Sequence, residues 1–237
     1  AIEPTFESFR ERARALLAAG VPPEEVTWDD GSGQLDLFAL ASPAPPIPRR
    51  GARPRRVPAA FVEEAAIAAH HSDPARWALL YRIAHRLTHQ EPWLLGVASD
   101  PDVTRLRGLV NAVRREEHRM HAFLRFRPVG ADRLIAWYEP ELDVLPLTAP
   151  FFARRFASLS WVILTPSRSA AWDGKELKLA RGGFTPDVVP REDELDDLFR
   201  AYYEAIFNPA RANAALLEQH VPARFRAHMP EMRAVKE

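Results

Sequence analysis

The stretch from Val103 to Glu139, VTRLRGLVNAVRREEHRMHAFLRFRPVGADRLIAWYE, contains the change of pattern that decides the fold. From Val103 to Met120, apolar residues recur at the three- and four-residue spacing of an amphipathic helix, which begins after Asp100-Pro101. Residues 122–127 and 133–139 then alternate with a period of two, which predicts strands on either side of a turn. The sequence therefore predicts that a long helix leads into a sheet.

The segments on both sides extend this picture. The predicted elements are helices over 5–19, 61–69 and 77–87 before this stretch, and after it a helix over 150–157, a strand over 161–165, two strand arms around the Asp-Gly turn at 172–175, and helices from 192 onward. This order predicts an α+β fold, with a helical N-terminal part packed on a small antiparallel or mixed sheet and with C-terminal helices.

Composition divides the chain into three predicted parts. Residues 1–40 hold the first helix and a short extended segment, and residues 59–237 form the main α+β domain. Between them, residues 41–58 contain six prolines and five arginines but no acid, which is typical of an extended tether. A solvated linker is the favoured interpretation of the tether, and an arm that follows phosphates is the alternative.

Charge and cysteine content exclude several classes of function. The 237 residues include no cysteine, which excludes disulfides, thiolate metal sites and cysteine-held iron–sulfur clusters within the chain. Lys+Arg and Asp+Glu both number 32, so the net charge is zero and only local patches can attract a polyanion. No apolar run approaches the length of a membrane span, and we expect a cytoplasmic protein without membrane contact.

Polar residues line up along one flank of the long predicted helix. At 100° per residue, Arg107, Asn111, Arg114 and His118 fall within a narrow arc beside the apolar stripe. Such a row is typical of a surface that contacts phosphates or base edges, and a solvated helix flank is the equally weighted alternative.

A second basic surface is predicted on the sheet. Arg125 and Arg127 share one face of the first predicted strand, and Trp137 and Glu139 share one face of the second. If these faces match, they form a surface able to stack bases and pair phosphates, whereas a structural arginine–glutamate pair beside a core tryptophan is the alternative. Arg154 and Arg155 add charge among the aromatic residues of 151–156.

Acid/base chemistry is a further possibility. Glu117 falls inside the apolar arc, where a carboxylate needs a partner, and with His118 and Glu139 it forms the predicted catalytic set. His85 and His89 have i,i+4 spacing without a third ligand beside them, so no metal is predicted. Glycine-rich phosphate loops are absent, so no cofactor is predicted either.

Several motifs together resemble a known family. They are REEHRMHAFLRF at 115–126, AWYEP at 136–140, FFARRF at 151–156, WVILTP at 161–166, WDG at 172–174 and IFNPAR at 206–211. In order and spacing they resemble a bacterial family of DNA-metabolism proteins with an uncharacterised domain. The sequence departs from the family pattern at Arg119, where lysine is common, and in a loose closing motif over 220–231.

The resemblance implies a DNA-damage context rather than a reaction. Members of this family resemble partners of a radical-SAM protein for DNA modification or repair, or precede a uracil-DNA glycosylase domain of the uracil-DNA-crosslinking type. The implied partners are therefore DNA, including damaged or uracil-containing DNA, and one of these two enzymes. The IFNPAR motif adds Asn208 and Arg211 to the expected nucleic-acid contacts.

Three functions remain open from the sequence. The leading hypothesis is a DNA-binding or adaptor module that presents DNA to a partner enzyme. The second is an enzyme that acts on a damaged or modified base through His118 and Glu139. The third is a protein-interaction scaffold without DNA contact, which docks its partner through the tether and the first helix.

Overall fold

The α+β prediction is confirmed by a computed structural model, which describes residues 2–31, 56–128 and 132–181. The helices are α1 (Phe6–Ala19), α2 (Ala59–Ala68), α3 (Arg76–His89), α4 (Pro101–Phe123) and α5 (Leu145–Arg155). The strands are β1 (Phe126–Pro128), β2 (Arg133–Trp137), β3 (Ser160–Leu164), β4 (Arg168–Trp172) and β5 (Leu177–Arg181). The predicted C-terminal helices and the extended segment around Leu35–Phe38 lie outside the described residues.

The described residues form two compact units. Unit 1 contains the described residues up to Glu116 together with Leu142–Val144, and unit 2 contains Glu117–Glu141 and the described residues from Leu145 onward. A hydrogen bond attaches the short segment Leu142–Val144 to the rest of unit 1. In this bond, the Nδ1 atom of His70 lies 2.7 Å from the carbonyl oxygen of Asp143. Most of the predicted tether lies outside the described residues, so the predicted division into three parts stays a prediction.

Unit 1 is a cluster of helices around an aromatic core. Thr5 caps α1 by accepting a hydrogen bond from the amide of Ser8, and Gly20 ends the helix in the left-handed conformation with φ of 69°. Phe9 of α1 stacks on Trp77 of α3 with ring centroids 5.3 Å apart. The hydroxyl of Tyr81 is buried and donates to the carbonyl of Val21 at 2.7 Å, and burial raises the pKa of this phenol to about 12.

An ionic cluster joins the end of α3 to the start of α4. The guanidinium of Arg86 donates to Glu91, Asp100 and Asp102 at distances of 2.7–3.1 Å. Asp100 also accepts hydrogen bonds from the amides of Asp102 and Val103, which makes it the N-terminal cap of α4. The hydrogen bonds of Arg86 lower the pKa of Asp100, the hydrogen bond from Arg82 is the main cause of the lowered pKa of Asp102, and the carboxylates raise the pKa of Arg86.

Unit 2 is built on a mixed five-stranded sheet in the order β1-β2-β3-β4-β5. Strands β2 and β3 are parallel because α5 connects them, and the other neighbours pair antiparallel. One face of the sheet carries Phe126, Ala136, Trp161 and Ile163, all of them buried. Phe152 of α5 meets Phe126 edge to face with ring centroids 5.6 Å apart, so α5 packs against this face.

Several element boundaries differ from the predicted ones. The strand predicted over 122–127 is wrong at its start, because α4 continues to Phe123 and β1 begins at Phe126. The helix predicted over 150–157 is wrong in its start, because α5 begins at Leu145 and contains Pro150. Leu145, Thr148 and Phe152 of α5 are buried at helical spacing, and this burial holds the earlier turns in place.

The hairpin at Asp173-Gly174 is confirmed. The side chain of Asp173 accepts hydrogen bonds from the amides of Lys175 and Glu176 at 2.9 and 2.8 Å, and Gly174 has φ of 92°.

Within the described part of the chain, no helix has the length and apolar character needed to cross a membrane.

Candidate nucleic-acid interface

The exposed side of α4 in unit 1 carries arginine and no acidic side chain. All four charged residues in the stretch 103–115 are arginines. Of the acids next to this stretch, Asp102 is bound by two arginines of α3 and Glu116 is only 1% exposed. The surface that this part of α4 presents is therefore cationic.

The structure brings the predicted flank of α4 together as a row. Asn111 and Arg114 are exposed, and no hydrogen bond or ion pair of either side chain occurs among the described residues. Arg107 is half-buried and donates from Nη2 to the carbonyl oxygen of Leu95 at 2.8 Å. His118 is exposed and lies in the part of α4 that belongs to unit 2.

Four other arginines of unit 1 bind acidic side chains. Arg105, on the same helix, binds Asp73 at 2.8 Å. Arg76 binds Asp30 at 2.8 Å. Arg82 and Arg86 both bind the carboxylate of Asp102. Arg114 and Arg115, in contrast, form no ion pair with a described residue.

A short loop borders this surface. The loop consists of residues 93–98, contains a 3-10 turn at Leu94–Gly96 and precedes α4. The side chain of Leu94 is only 1% exposed and anchors the loop in the core of unit 1. Two side chains of α4 fasten the loop, because Arg107 donates to Leu95 and Thr104 donates from its hydroxyl to the carbonyl of Ala98 at 3.1 Å. Trp93 at the start of the loop is 69% exposed.

In unit 2, the two predicted faces of the sheet match in part. Arg127 of β1 pairs directly with Ile135 of β2, so both lie on one face together with Trp137. Arg127 and Trp137 are half-buried. Arg125 precedes β1, and its guanidinium donates to the carbonyls of Ala122 and Leu124 at 2.7 and 3.2 Å. Arg125 therefore caps the C-terminal end of α4, a structural role that the alternation did not predict.

Arg154 and Arg155 form the last turn of α5, where both are exposed. Cations are favourable at this end of a helix because of its partial negative charge. The remaining predicted contacts, Asn208 and Arg211, lie outside the described residues.

The predicted catalytic residues are not joined by any contact. His118 and Glu139 are exposed and Glu117 is half-buried, and no hydrogen bond or ion pair among the described residues links these three side chains. A pocket of about 400 Å³ at the end of the sheet is lined by other residues, among them Arg133, Trp161 and Lys178. The catalytic role of His118, Glu139 and Glu117 stays a prediction.

The comparisons with known proteins give a family for this chain. The model of the family DUF4130, described as a domain of unknown function, matches residues 74–231, which is more than half of the sequence. The chain belongs to the DUF4130 family. A search of curated proteins and a search of solved structures each find no significant match.

His121 of this DUF4130 chain is a histidine of unit 2 with a shifted pKa. Its ring lies 4.3 Å from that of Phe151, and its Nε2 atom is buried without a hydrogen-bond partner among the described residues. Burial lowers the pKa of His121, the carboxylate of Glu117 raises it in part, and the neighbouring His118 lowers it further. Sequence reasoning did not single out His121, because its burial depends on contacts with α5.

No group of three or more potential ligands in the described part of the DUF4130 chain is suited to hold a metal ion. His85 and His89 stack with ring centroids 4.0 Å apart, and the Nδ1 atom of His89 lies 2.9 Å from the carbonyl oxygen of His85. The two histidines therefore pack against each other and against their own helix.

Two features of the DUF4130 surface were missed from the sequence. Trp93 carries no periodic signal, and its exposure follows only from the turn that holds Leu94 inside. Gly108 lies in the middle of α4, where glycine costs about 1 kcal/mol relative to alanine. No described residue lies within 4 Å of the position of a Cβ atom at Gly108, so packing among the described residues gives no reason for this glycine.

Proposed function

We propose that this chain is a DNA-binding module that presents DNA to a partner enzyme in DNA repair or modification. In this proposal, the exposed side of α4 in unit 1 contacts the phosphates of the bound strand. Arg107 and Arg114 are the phosphate contacts, and Asn111 lies between them where an amide can reach a base edge.

The single observation that carries the proposal is the separation of charge on α4. The stretch 103–115 has four arginines and no acid, and Arg114 and Arg115 form no ion pair with a described residue. Elsewhere in unit 1, acids bind the guanidinium groups of Arg76, Arg82 and Arg86. In a chain whose net charge is zero, an arginine-only helix side supports a local site for a polyanion.

The binding mechanism follows from the chemistry of the guanidinium group. Each arginine that reaches a phosphate releases a condensed counterion, so affinity falls steeply as salt rises. The fork of N–H donors on a guanidinium fits two phosphate oxygens, which fixes the register of the strand on the helix. Phosphate contacts of this kind position the strand, and sequence preference comes from groups such as the Asn111 amide.

The partner in the proposal comes from the sequence resemblance alone. The resemblance implies either a radical-SAM protein or a uracil-DNA glycosylase domain as the enzyme that receives the DNA. An adaptor role fits the absence of cysteine, since the chain itself has no ligands for an iron–sulfur cluster of the cysteine type.

The two alternatives have less support. Proton transfer between an acid and a base needs heavy atoms within about 3 Å or one bridging water, and no contact joins His118 to Glu139 among the described residues. The scaffold hypothesis depends on α1 and on the tether at 41–58, most of which lies outside the described residues.

The direct test is an electrophoretic shift with the full chain. Uracil-containing, abasic and intact oligonucleotides, each single- and double-stranded, are compared at a low and a high salt concentration. We expect binding to all of them at low salt and a steep loss at high salt. Absence of binding at low salt, or binding that does not change with salt, contradicts the proposal. Capture of a partner protein without any DNA affinity favours the scaffold.

A further inference from the structure

We infer that the loop carrying Trp93 and the glycine surface of α4 form one site for an unpaired nucleotide of a bound strand. The inference rests on the proposed function and deepens it, because it adds a second mode of contact to the phosphate contacts. In this site, one base stacks on the indole of Trp93, and its sugar-phosphate backbone runs close to α4 at Gly108.

The first observation is the exposure of Trp93 on a fixed support. Its side chain is 69% exposed, whereas Leu94, the next residue, is 1% exposed and holds the turn in place. The amide of Gly96 donates to the carbonyl of Trp93 at 2.8 Å, which closes the turn. Val97 of the same loop is 41% exposed, so the apolar surface extends beyond the indole. A large aromatic ring presented on a rigid turn loses little entropy when a base stacks on it.

The second observation is that α4 itself holds the loop. Arg107 donates to Leu95, and Thr104 donates to Ala98. These two hydrogen bonds bring the loop beside the side of α4 that carries Gly108 and Asn111. The loop that carries Trp93 is therefore fastened to the turns of α4 next to Gly108.

The third observation is Gly108. A glycine in the middle of a helix lowers its stability, and no atom lies within 4 Å of the position that a Cβ would take. The absence of a side chain leaves the helix backbone open between Thr104, Asn111 and Arg115, which are all exposed. Close approach of another backbone is a common reason for such a glycine, and here the arginine-only surface favours a sugar-phosphate backbone.

A single strand, or a duplex with an extruded base, fits these observations better than an intact duplex. In an intact duplex the bases stack on each other, and only an unpaired base has a free face for an indole. A protein segment is the other class of ligand for an exposed tryptophan, but the stretch 103–115 of α4 has four arginines and no acid, which favours a polyanion.

The test measures fluorescence anisotropy with a labelled single strand, its intact duplex and the same duplex with one bulged base. The proteins are the wild-type chain, Trp93→Ala, Trp93→Phe, Gly108→Ala and the control Leu179→Ala, which removes a 45% exposed side chain in unit 2. We expect Trp93→Ala to lose about 5- to 150-fold in affinity for the single strand and the bulged duplex, and little for the intact duplex. Trp93→Phe keeps most of the affinity.

Gly108→Ala is expected to weaken all three ligands by about fivefold or more, because the added methyl group separates the two backbones. Leu179→Ala is expected to match the wild type, and thermal melting checks that every variant is folded. If Trp93→Ala binds as the wild type does, or loses affinity equally for paired and unpaired ligands, the inference is wrong while the proposed function stands. If the wild type binds none of the three ligands at low salt, both are wrong.

Discussion

The guanidinium of Arg107 donates a hydrogen bond to the carbonyl oxygen of Leu95 at 2.8 Å, so a residue of the basic flank of α4 also fixes the neighbouring loop. A guanidinium has five N–H donors in a planar fork, and one bond to a carbonyl leaves others for a phosphate. Arg107 can therefore position the Trp93 loop and contact a ligand at the same time. Arg114, which has no such bond among the described residues, is the cleaner probe of phosphate binding.

Asn111→Ala tests whether this flank reads bases. An amide that bonds a base edge carries sequence information but no charge, so its loss is expected to change the preference among sequences without changing the salt dependence. For the preferred sequence, the binding free energy is expected to weaken by about 1–3 kcal/mol. Binding titrations with a set of single strands of different composition measure this effect. Equal weakening on every sequence would show that Asn111 does not read bases.

Gly108→Ala separates stability from binding. Since no atom lies near the position of a Cβ, alanine is expected to stabilise unit 1 by about 1 kcal/mol through helix propensity. Gly20→Ala is the matched opposite, because Gly20 has φ of 69° and a side chain is strained there. Urea unfolding of the full chain measures both. A loss of stability in Gly108→Ala contradicts the open surface that the structure has at this position.

Arg86→Met is expected to destabilise unit 1. The substitution removes the arginine that binds Asp100, whose side chain is only 12% exposed, and one of the two arginines that bind Asp102, so the charge of Asp100 is left poorly compensated. We expect a loss of about 2–4 kcal/mol in the free energy of unfolding, measured with urea. Arg82→Met is the control, because Arg82 is 43% exposed and binds Asp102 alone, and its loss is expected to be smaller. Equal losses would mean that the cluster does not act through Arg86.

His121 gives the stability a pH dependence of defined sign. Burial lowers the pKa of His121 in the folded chain, so the unfolded chain binds the proton more tightly. Stability is therefore full above the ordinary histidine pKa of about 6.5 and decreases as the pH falls from there towards the lowered value. Burial acts in the same direction on His71 and His85.

The measurement is urea unfolding at about pH 7.5 and about pH 5.5. His121→Gln is expected to reduce the loss of stability between the two, and His118→Gln is expected to reduce it less, because that substitution removes only the neighbouring charge that lowers the pKa of His121 further. A wild-type chain that is more stable at the lower pH would contradict the burial of the His121 ring.

Much of the fold was predictable because its signals are local. The amphipathic period of α4, the Thr5 cap and Gly20 of α1 and the Asp173-Gly174 turn depend on a few neighbouring residues, and each is present in the structure. The start of α5 was not predictable from Pro150 alone, because burial against the sheet holds the earlier turns. Pro150 predicts the start of a helix because proline is favoured in the first turn, whereas tertiary packing tolerates it inside α5.

The candidate site was predictable only in part, for a related reason. A helical wheel assumes that the same arc of side chains is buried along the whole helix. Helix α4, however, belongs to unit 1 up to Glu116 and to unit 2 from Glu117. Glu117 is half-buried as its place in the arc predicts, while the fully buried carboxylate is Glu116 at the edge of that arc. Trp93 and Gly108 became visible only through exposure and open space, which no periodic pattern encodes.

The most direct test of the central claim is the salt dependence of DNA binding in a pair of arginine variants on α4. Arg114→Ala removes an exposed guanidinium without an ion pair among the described residues, and Arg105→Ala removes one that is paired with Asp73. The measurement is the slope of the logarithm of the association constant for duplex DNA against the logarithm of salt concentration. We predict that this negative slope becomes shallower by about 0.9 in Arg114→Ala and keeps the wild-type value in Arg105→Ala. A slope unchanged in Arg114→Ala, or a loss as large in Arg105→Ala, would contradict phosphate binding by the exposed side of α4.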